Sequence, residues 1–418
     1  MMTHTVLGSV SFGYQLLWNR VRQIGGVQLY VGANDATPVE AQHLLSALDE
    51  LWSEQAPTLL LSVQSLRLLS DLLECAPARN TWLEVHEFQL RDPGFAERVQ
   101  LAHERGLKLI WRGEPGSRPS ADLAPCFLRQ MVNLSPQEAL AGLRVSLRKH
   151  HGGGAARVSP MTSPVLADHI FEAVASRVLA EHCLDEQGAW GLAGWPLEDV
   201  LHGYRQHRIQ PGHSAIVALV DAIDADESVE QVERILSEEP ILTYRFLRYA
   251  NSAGLGLRTE IESLRHGLMV LGFSLLRAWL LEQLPQATSD LNLQPVRAAM
   301  VLRARLMKHL LDAGDGDDLR REVYLCGLMS QIDLLLGEPP AAALARLPLS
   351  ERITAAVLNH AGPYLPYLEV ATALESPDTQ ATRALCEAHQ MDLEEVNRSV
   401  LRTLSHARAH PGKGLRPV

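Results

Sequence analysis

The sequence predicts two folded parts, an α/β part followed by an all-α part, and three observations carry that prediction. From Val27 to about Leu134, short β-prone runs alternate with amphipathic helical runs. Beyond about Tyr204, nearly every stretch repeats its apolar residues at three-and-four spacing, the period of a helix face. The chain has 418 residues, more than a single domain usually holds. With 46% hydrophobic and 21% charged residues there is enough apolar surface for packed interiors, which excludes wholesale disorder.

In the first part the strand-like runs VQLYVGA, TLLLSV, WLEVHE, LKLIW and QMVNL are separated by helical runs over Ala41 to Trp52, Ser65 to Leu73 and Pro93 to Arg105. Such alternation sets the strands parallel, and their lack of strict polar alternation fits a sheet or barrel covered by helices. The segment from His150 to Pro164, with Gly152, Gly153 and Gly154 between them, reads as a flexible loop, and Val165 to Cys183 as a further helical run. In the second part helices are expected over Ile216 to Ile223, Val229 to Leu236, Ile241 to Tyr249, Leu264 to Leu271, Val296 to Leu311, Val323 to Leu336 and Val396 to Leu404. Ser228 with Gln231 fits a capping box and Pro240 a first helical turn. Gly254, Gly256, Gly272, Gly327 and Gly337 punctuate the run. The boundary falls near residues 197 to 208, giving domains 1–200 and 201–418.

A formal charge of −11 offers no net attraction to phosphate backbones or anionic lipid, so neither nucleic acid nor a membrane surface is an expected partner. Lysine stands only at Lys108, Lys149, Lys308 and Lys413, arginine supplying the other basic residues. The five cysteines are odd in number, widely spaced and never in a CxxC pair, which argues against a disulfide framework and a zinc cluster. No run of 18 or more apolar residues occurs, and the N-terminus lacks a signal-like core, so a cytoplasmic location is expected. There is no Walker loop and no GxSxG elbow, and GLAG at 191–194 lacks the context of a dinucleotide site.

The segment EEPILTYRFLRYANSAGLGL resembles the HDOD domain, a helical bacterial signalling module related to the HD phosphohydrolases, in which Asp-Pro precedes a Leu- and Arg-rich helix and Asn-Ser-Ala. IESLRHGLMVLGFSLLRAWL continues that likeness, with Asn251, Ser252, Ile261, Ser263, Leu264, Leu271 and Gly272 at the matching positions. It extends through RARLMKHLL, CGLMSQIDLLLG and NHAGPYLPYLEVATALESPD. The first part is similar to the EAL-type cyclic-di-GMP phosphodiesterase domain, through GYQLLWNR, TLLLSV, WLEVHE, GLKLIWRGEPGS and GAWGLAGWP. The resemblance implies a degenerate (β/α) barrel whose site lies at the C-terminal strand ends, its shortness leaving open whether the barrel is complete.

The EAL mechanism needs several carboxylates to hold two divalent metals. By the resemblance, Gln15 stands where the motif Glu belongs, Ser62 for Asn, Arg112 and Gly113 for paired Asp residues, Met131 for the catalytic Lys, and Trp190 near the closing Gln. Glu87 and Glu172 keep the acidic type. Gln15, Glu87, Arg112 and Glu172 are therefore candidate residues of a remnant ligand site with no metal and no catalytic residue. Arg112 either binds an anionic ligand or pairs internally with Glu87 or Glu114. In the helical part Ser330 and Gln331 replace the His-Asp pair, and neither is a good metal ligand. His86 is expected at a half-buried barrel position, His202, His207 and His213 on solvated surface, and Arg245 and Arg248 on a solvated or ion-paired face. Met269, Met300, Met307 and Met329 either fill the core or line an apolar groove. The expected function is a non-catalytic signalling protein that uses no cofactor and acts through protein partners. A residual cyclic-di-GMP phosphodiesterase, or a cyclic-di-GMP sensor that does not hydrolyse it, stands as the alternative.

Overall fold

The computed structural model describes residues 5–33, 39–151, 162–256, 259–311, 314 and 316–407. Its first 199 residues group with residues 373–418 into one compact unit, and residues 200–372 form a second.

The first unit is a closed eight-stranded barrel in sequential order. Strands β1 (Val10–Trp18) and β2 (Ile24–Ala33) form an antiparallel hairpin. Its turn is set locally: the Asn19 side-chain oxygen accepts from the Val21 and Gln23 N–H groups, both at 3.0 Å, and Arg22 takes a left-handed φ of 58°. From β2 onward, β3 (Thr58–Val63), β4 (Thr81–His86), β5 (Lys108–Arg112), β6 (Phe127–Asn133), β7 (Ile170–Glu172) and β8 (Gly191–Ala193) run parallel. The strand β8 then closes antiparallel on β1 through Leu17↔Ala193 and Trp18↔Leu192. The barrel is thus complete: the runs from Val27 to Leu134 are parallel, as their alternation predicted, and the strand before them, β1, runs against its neighbours.

Two of the crossover helices start at side-chain caps, Ser65 accepting from the Leu68 N–H and Asp92 from the Gly94 N–H with Pro93 in the first turn. One expected helix is replaced. Within Val165 to Cys183, left-handed backbone at Asp168 and Ala173 brackets β7, and only Arg177–Glu181 is α-helical, continuing as a π-turn over His182–Glu186. Closing the ring there takes a strand, which overrides the helical pattern of the sequence. Of the expected loop at 150–164, His150 and His151 end the helix Pro136–His151, and residues 152–161 lie outside the described residues.

The second unit is helical, with helices at His213–Asp224, Val229–Ser237, Pro240–Ala250, Leu264–Gln283, Gln294–His309, Asp317–Met329, Ile332–Leu336 and Glu351–Asn359 among its elements. Two motif residues do structural work in it. Asn251 Nδ2 donates to the Leu247 and Ile261 carbonyls at 2.7 and 3.0 Å while its Oδ1 accepts from the Ile261 N–H at 2.8 Å, so this one amide ties a helix end to the following segment. Glu239, before Pro240, accepts from the Leu242 and Gly212 N–H groups and faces the buried Arg297 guanidinium at 3.0 Å. Gly272 (φ 71°, ψ 165°) kinks Leu264–Gln283. Gly327 lies inside a helix and marks close packing instead of a break, since a Cβ there would stand 2.7 Å from Ala304 Cα. The helix Leu264–Gln286 is long and apolar enough to cross a membrane by length and composition, although no unbroken run of 18 apolar residues occurs in it. Its Leu264, Leu268, Leu276, Trp279 and Leu280 are buried, while Met269, Val270, Leu275 and Leu281 are exposed.

The last helices correct the sequence-drawn boundary at 201–418, because residues 373–418 belong with the barrel. A hairpin has no crossover helix, so the outer side of β1 needs another cover. Helix Leu393–Ser405 supplies it with buried Val396, Val400, Leu401 and Leu404, and Asn397 Nδ2 donates to the Leu7 and Val10 carbonyls at 2.8 and 2.9 Å.

Candidate ligand site at the barrel mouth

Inward-facing side chains fill the barrel in layers. Leu17, Leu60, Trp82, Ile110, Met131, Ile170 and Ala193 form a buried apolar core against which Trp190 packs. Trp190 and Trp82 meet with ring centroids 4.9 Å apart, and the Arg129 guanidinium lies over both rings at 5.6 and 5.4 Å. Trp190 therefore belongs to the packing near the N-terminal strand ends.

Toward the C-terminal strand ends the filling turns polar. Glu84 on β4 is fully buried. Its Oε1 accepts from Arg112 Nη1 at 2.9 Å and stands 2.9 Å from His86 Nε2. Its Oε2 accepts from Gln28 Nε2 at 2.7 Å and from the Ser62 hydroxyl. Arg112, at the end of β5, also donates from Nη2 and Nε to the two oxygens of Glu172 at 2.6 and 3.1 Å. One guanidinium thus bridges two carboxylates from different strands, using its planar fork. Burial alone would raise the Glu84 pKa, but the His86 hydrogen bond, the Arg112 charge and the Ser62 hydroxyl outweigh it and hold the carboxyl at about 2. Burial works against the Arg112 charge, yet Glu84 and Glu172 push its pKa above the ordinary value. Burial also raises Tyr30, with the nearby Glu84 charge adding to it.

This arrangement redistributes the residues singled out from sequence. Arg112 pairs internally, but with Glu84 and Glu172 in place of Glu87 or Glu114. Glu87 lies beyond the strand, where it accepts from the Ser117 hydroxyl at 2.7 Å and the Glu114 N–H at 3.2 Å, and so holds the loop after β5. The Ser117 hydrogen bond keeps its carboxyl below the usual range. Gln15 reaches the cluster only through Tyr30, whose hydroxyl donates to its Oε1 at 3.0 Å; its cross-strand partner Gln28 occupies the centre. Glu84 and Gln28 were missed, and each had a signal. Glu84 and His86 are two apart on one strand and so share a face. Gly26-Val27-Gln28-Leu29 repeats the Gly-x-Gln-Leu pattern of Gly13-Tyr14-Gln15-Leu16, and only register distinguishes them.

In the helical unit the Ser330 hydroxyl donates back to the Gly327 carbonyl at 2.7 Å. Gln331, with its amide oxygen turned to accept, stands 3.1 Å from Nη2 of the buried Arg303. Among the described residues, no group of three or more His, Cys, Asp or Glu side chains is placed to hold a metal ion. Met300, Met307 and Met329 are core residues and Met269 is exposed, so the four do not line a common groove. Arg245 donates to the Gln283 and Gln210 side chains at 3.0 and 2.8 Å, bonds that hold it within the helical packing.

Residues 213–338 match the family model of the HDOD domain. The helical unit carries an HDOD domain. Among curated proteins, the chain is 23% identical over 198 residues to the cyclic di-GMP phosphodiesterase CdgJ of Vibrio cholerae, covering 47% of this chain and 46% of that protein. It is 28% identical over 179 residues to the uncharacterized protein YuxH of Bacillus subtilis, covering 42% of each. The chain thus spans under half the length of the curated relatives it matches. The solved MmoQ response regulator of Methylococcus capsulatus aligns with a TM-score of 0.37 at 14% identity, over 46% of this chain and 98% of that one.

Proposed function

We propose that this chain is a cytosolic signalling protein of the cyclic-di-GMP network whose barrel does not hydrolyse the dinucleotide, and that it acts on protein partners through its HDOD domain. The observation that carries the reading is the Arg112 guanidinium seated between Glu84 and Glu172. The likeness to CdgJ supports the signalling class. A two-metal phosphodiesterase keeps its carboxylates free to ligate hard cations. Here Arg112 takes one or both oxygens of each carboxylate, and the other Glu84 oxygen accepts from Gln28 and Ser62. The donor set does not fit a metal pair. A fixed positive charge among these carboxylates also opposes a divalent cation directly. In the HDOD domain, Arg303 beside Gln331 puts a second buried cation next to the place of the missing His-Asp pair. Interaction is supported by the outer side of helix Leu264–Gln283, where Met269, Val270, Leu275 and Leu281 are exposed.

The decisive experiment incubates purified protein with cyclic-di-GMP and excess Mg²⁺ or Mn²⁺ and follows the linear dinucleotide by chromatography. No product above a buffer blank is expected. Turnover that disappears on Glu84→Ala would overturn the reading, and calorimetric binding without turnover would replace it by that of a sensor.

A further inference from the structure

The C-terminal arm does more than cover the outside of the hairpin. On the inward face of β1 and β2, the cross-strand pairs run Leu17 with Gly26, Gln15 with Gln28, Gly13 with Tyr30 and Ser11 with Gly32. Side chains alternate between faces, so these pairs climb one surface from the barrel interior to its C-terminal rim. The upper two pairs meet the arm. A Cβ on Gly13 would stand 2.0 Å from the Ser376 carbonyl oxygen, and a Cβ on Gly32 would stand 2.1 Å from the Thr379 hydroxyl and 3.0 Å from the Ser11 hydroxyl. Glycine at both positions leaves room for the arm on the rim, for its backbone at Gly13 and for the Thr379 side chain at Gly32. Gln64, just past the end of β3, ties the arm down: its Nε2 donates to the Pro377 carbonyl at 2.8 Å and its Oε1 accepts from the Thr379 hydroxyl at 2.8 Å. Beneath lie fully buried Ser11, whose hydroxyl has no hydrogen-bond partner among the described residues, and Tyr30 with its bond to Gln15. Across the rim, Phe88 is 62% exposed, and His86 and Arg112 are partly exposed.

We infer that residues 376–379 form an intramolecular lid over the β1–β3 side of the barrel mouth, so that access to the Gln15, Gln28 and Tyr30 side of the cluster is gated by the C-terminal arm. The inference concerns the regulation of the site in the proposed function, and its test does not depend on turnover.

The test is thiol accessibility in the full-length protein. Ser11→Cys places a near-isosteric reporter under the lid, and His86→Cys places one on the open side; alkylation by N-ethylmaleimide is followed site by site by peptide mass mapping, which separates them from Cys75. The Ser11→Cys thiol should react slowly and the His86→Cys thiol rapidly. Adding Gln64→Ala removes both ties at an exposed position, and Gly32→Ala drives a methyl group into Thr379. Two hydrogen bonds at about 1 kcal/mol each correspond to roughly thirtyfold more open lid, so Gln64→Ala should speed Ser11→Cys labelling at least about tenfold and leave His86→Cys unchanged. The inference is overturned if Ser11→Cys labels as fast as His86→Cys in the otherwise unaltered chain. Equally, it fails if Gln64→Ala and Gly32→Ala both leave the Ser11→Cys rate unchanged while circular dichroism shows them folded. Retained silence toward cyclic-di-GMP in the Gln64→Ala variant keeps the two proposals distinguishable, since the lid can then be open with Arg112 still in place.

Discussion

Removing Arg112 tests how the polar filling of the barrel is balanced. Arg112→Ala deletes three hydrogen bonds to carboxylates and leaves Glu84, with a fully buried side chain, without its countercharge. Breaking a buried pair from one side costs about 3–5 kcal/mol, and the lower end applies because Arg112 keeps 25% of its side chain exposed. About 3 kcal/mol in a unit of this size should lower the thermal midpoint by roughly 6–12 °C. Near-ultraviolet circular dichroism reports on it, since Trp82 is in the barrel filling and Trp190 packs against it. Arg112→Met combined with Glu84→Gln removes both charges of the Arg112–Glu84 pair and leaves the partly exposed Glu172 alone, and the double variant should recover at least about 2 kcal/mol relative to the sum of the single changes. Arg112→Lys should recover little, because an ammonium cannot span two carboxylates with a planar fork. The reasoning is refuted if Arg112→Ala lowers the midpoint by less than about 2 °C, or if the single costs add within about 0.5 kcal/mol in the double variant.

Glu84 also sets an acid limit. Its pKa falls from the ordinary 4.5 to about 2 in the fold, so its contribution is fully present above 4.5 and is lost as pH falls toward 2. The stability difference between the native sequence and Glu84→Gln should therefore shrink by roughly 3 kcal/mol across that window, measured by urea unfolding, and a difference independent of pH would contradict the assignment. Asn251→Ala removes three hydrogen bonds in the HDOD domain and should cost about 2–3 kcal/mol in its unfolding transition; a cost below about 0.5 kcal/mol would count against its tying role. Gly327→Ala puts a methyl group 2.7 Å from Ala304 Cα and should destabilise the same transition by about 1–3 kcal/mol, where an unaltered midpoint would show that the two helices separate freely. Asn397→Ala should destabilise the barrel transition by about 1–2 kcal/mol, whereas an effect confined to the helical unit would contradict the placement of the arm.

The sequence by itself determined the elements that rest on local periodicity. Alternating β-prone and helical runs foretold most of the barrel, and three-and-four spacing foretold the helices, because burial of one face repeats at a fixed interval along the chain. The Asn-Ser-Ala and Leu-Gly signatures pointed to the HDOD domain for the same local reason, Asn251 and Gly272 acting on backbone close to them in the chain. The strands that carry Ser62, Arg112 and Met131 were also legible, since each lies in a β-prone run of the alternation. Tertiary structure alone decided what depends on register and on distant chain. Gln15 and Gln28 carry the same local pattern, and cross-strand pairing placed only Gln28 against Glu84. Arg112 had acidic residues near it in the sequence, but closure of the ring brought Glu84 and Glu172 to it from the ends of other strands. The return of residues 373–418 to the barrel was hidden for the same physical reason: a helix's apolar face tells that it is buried, and nothing in its spacing tells against what.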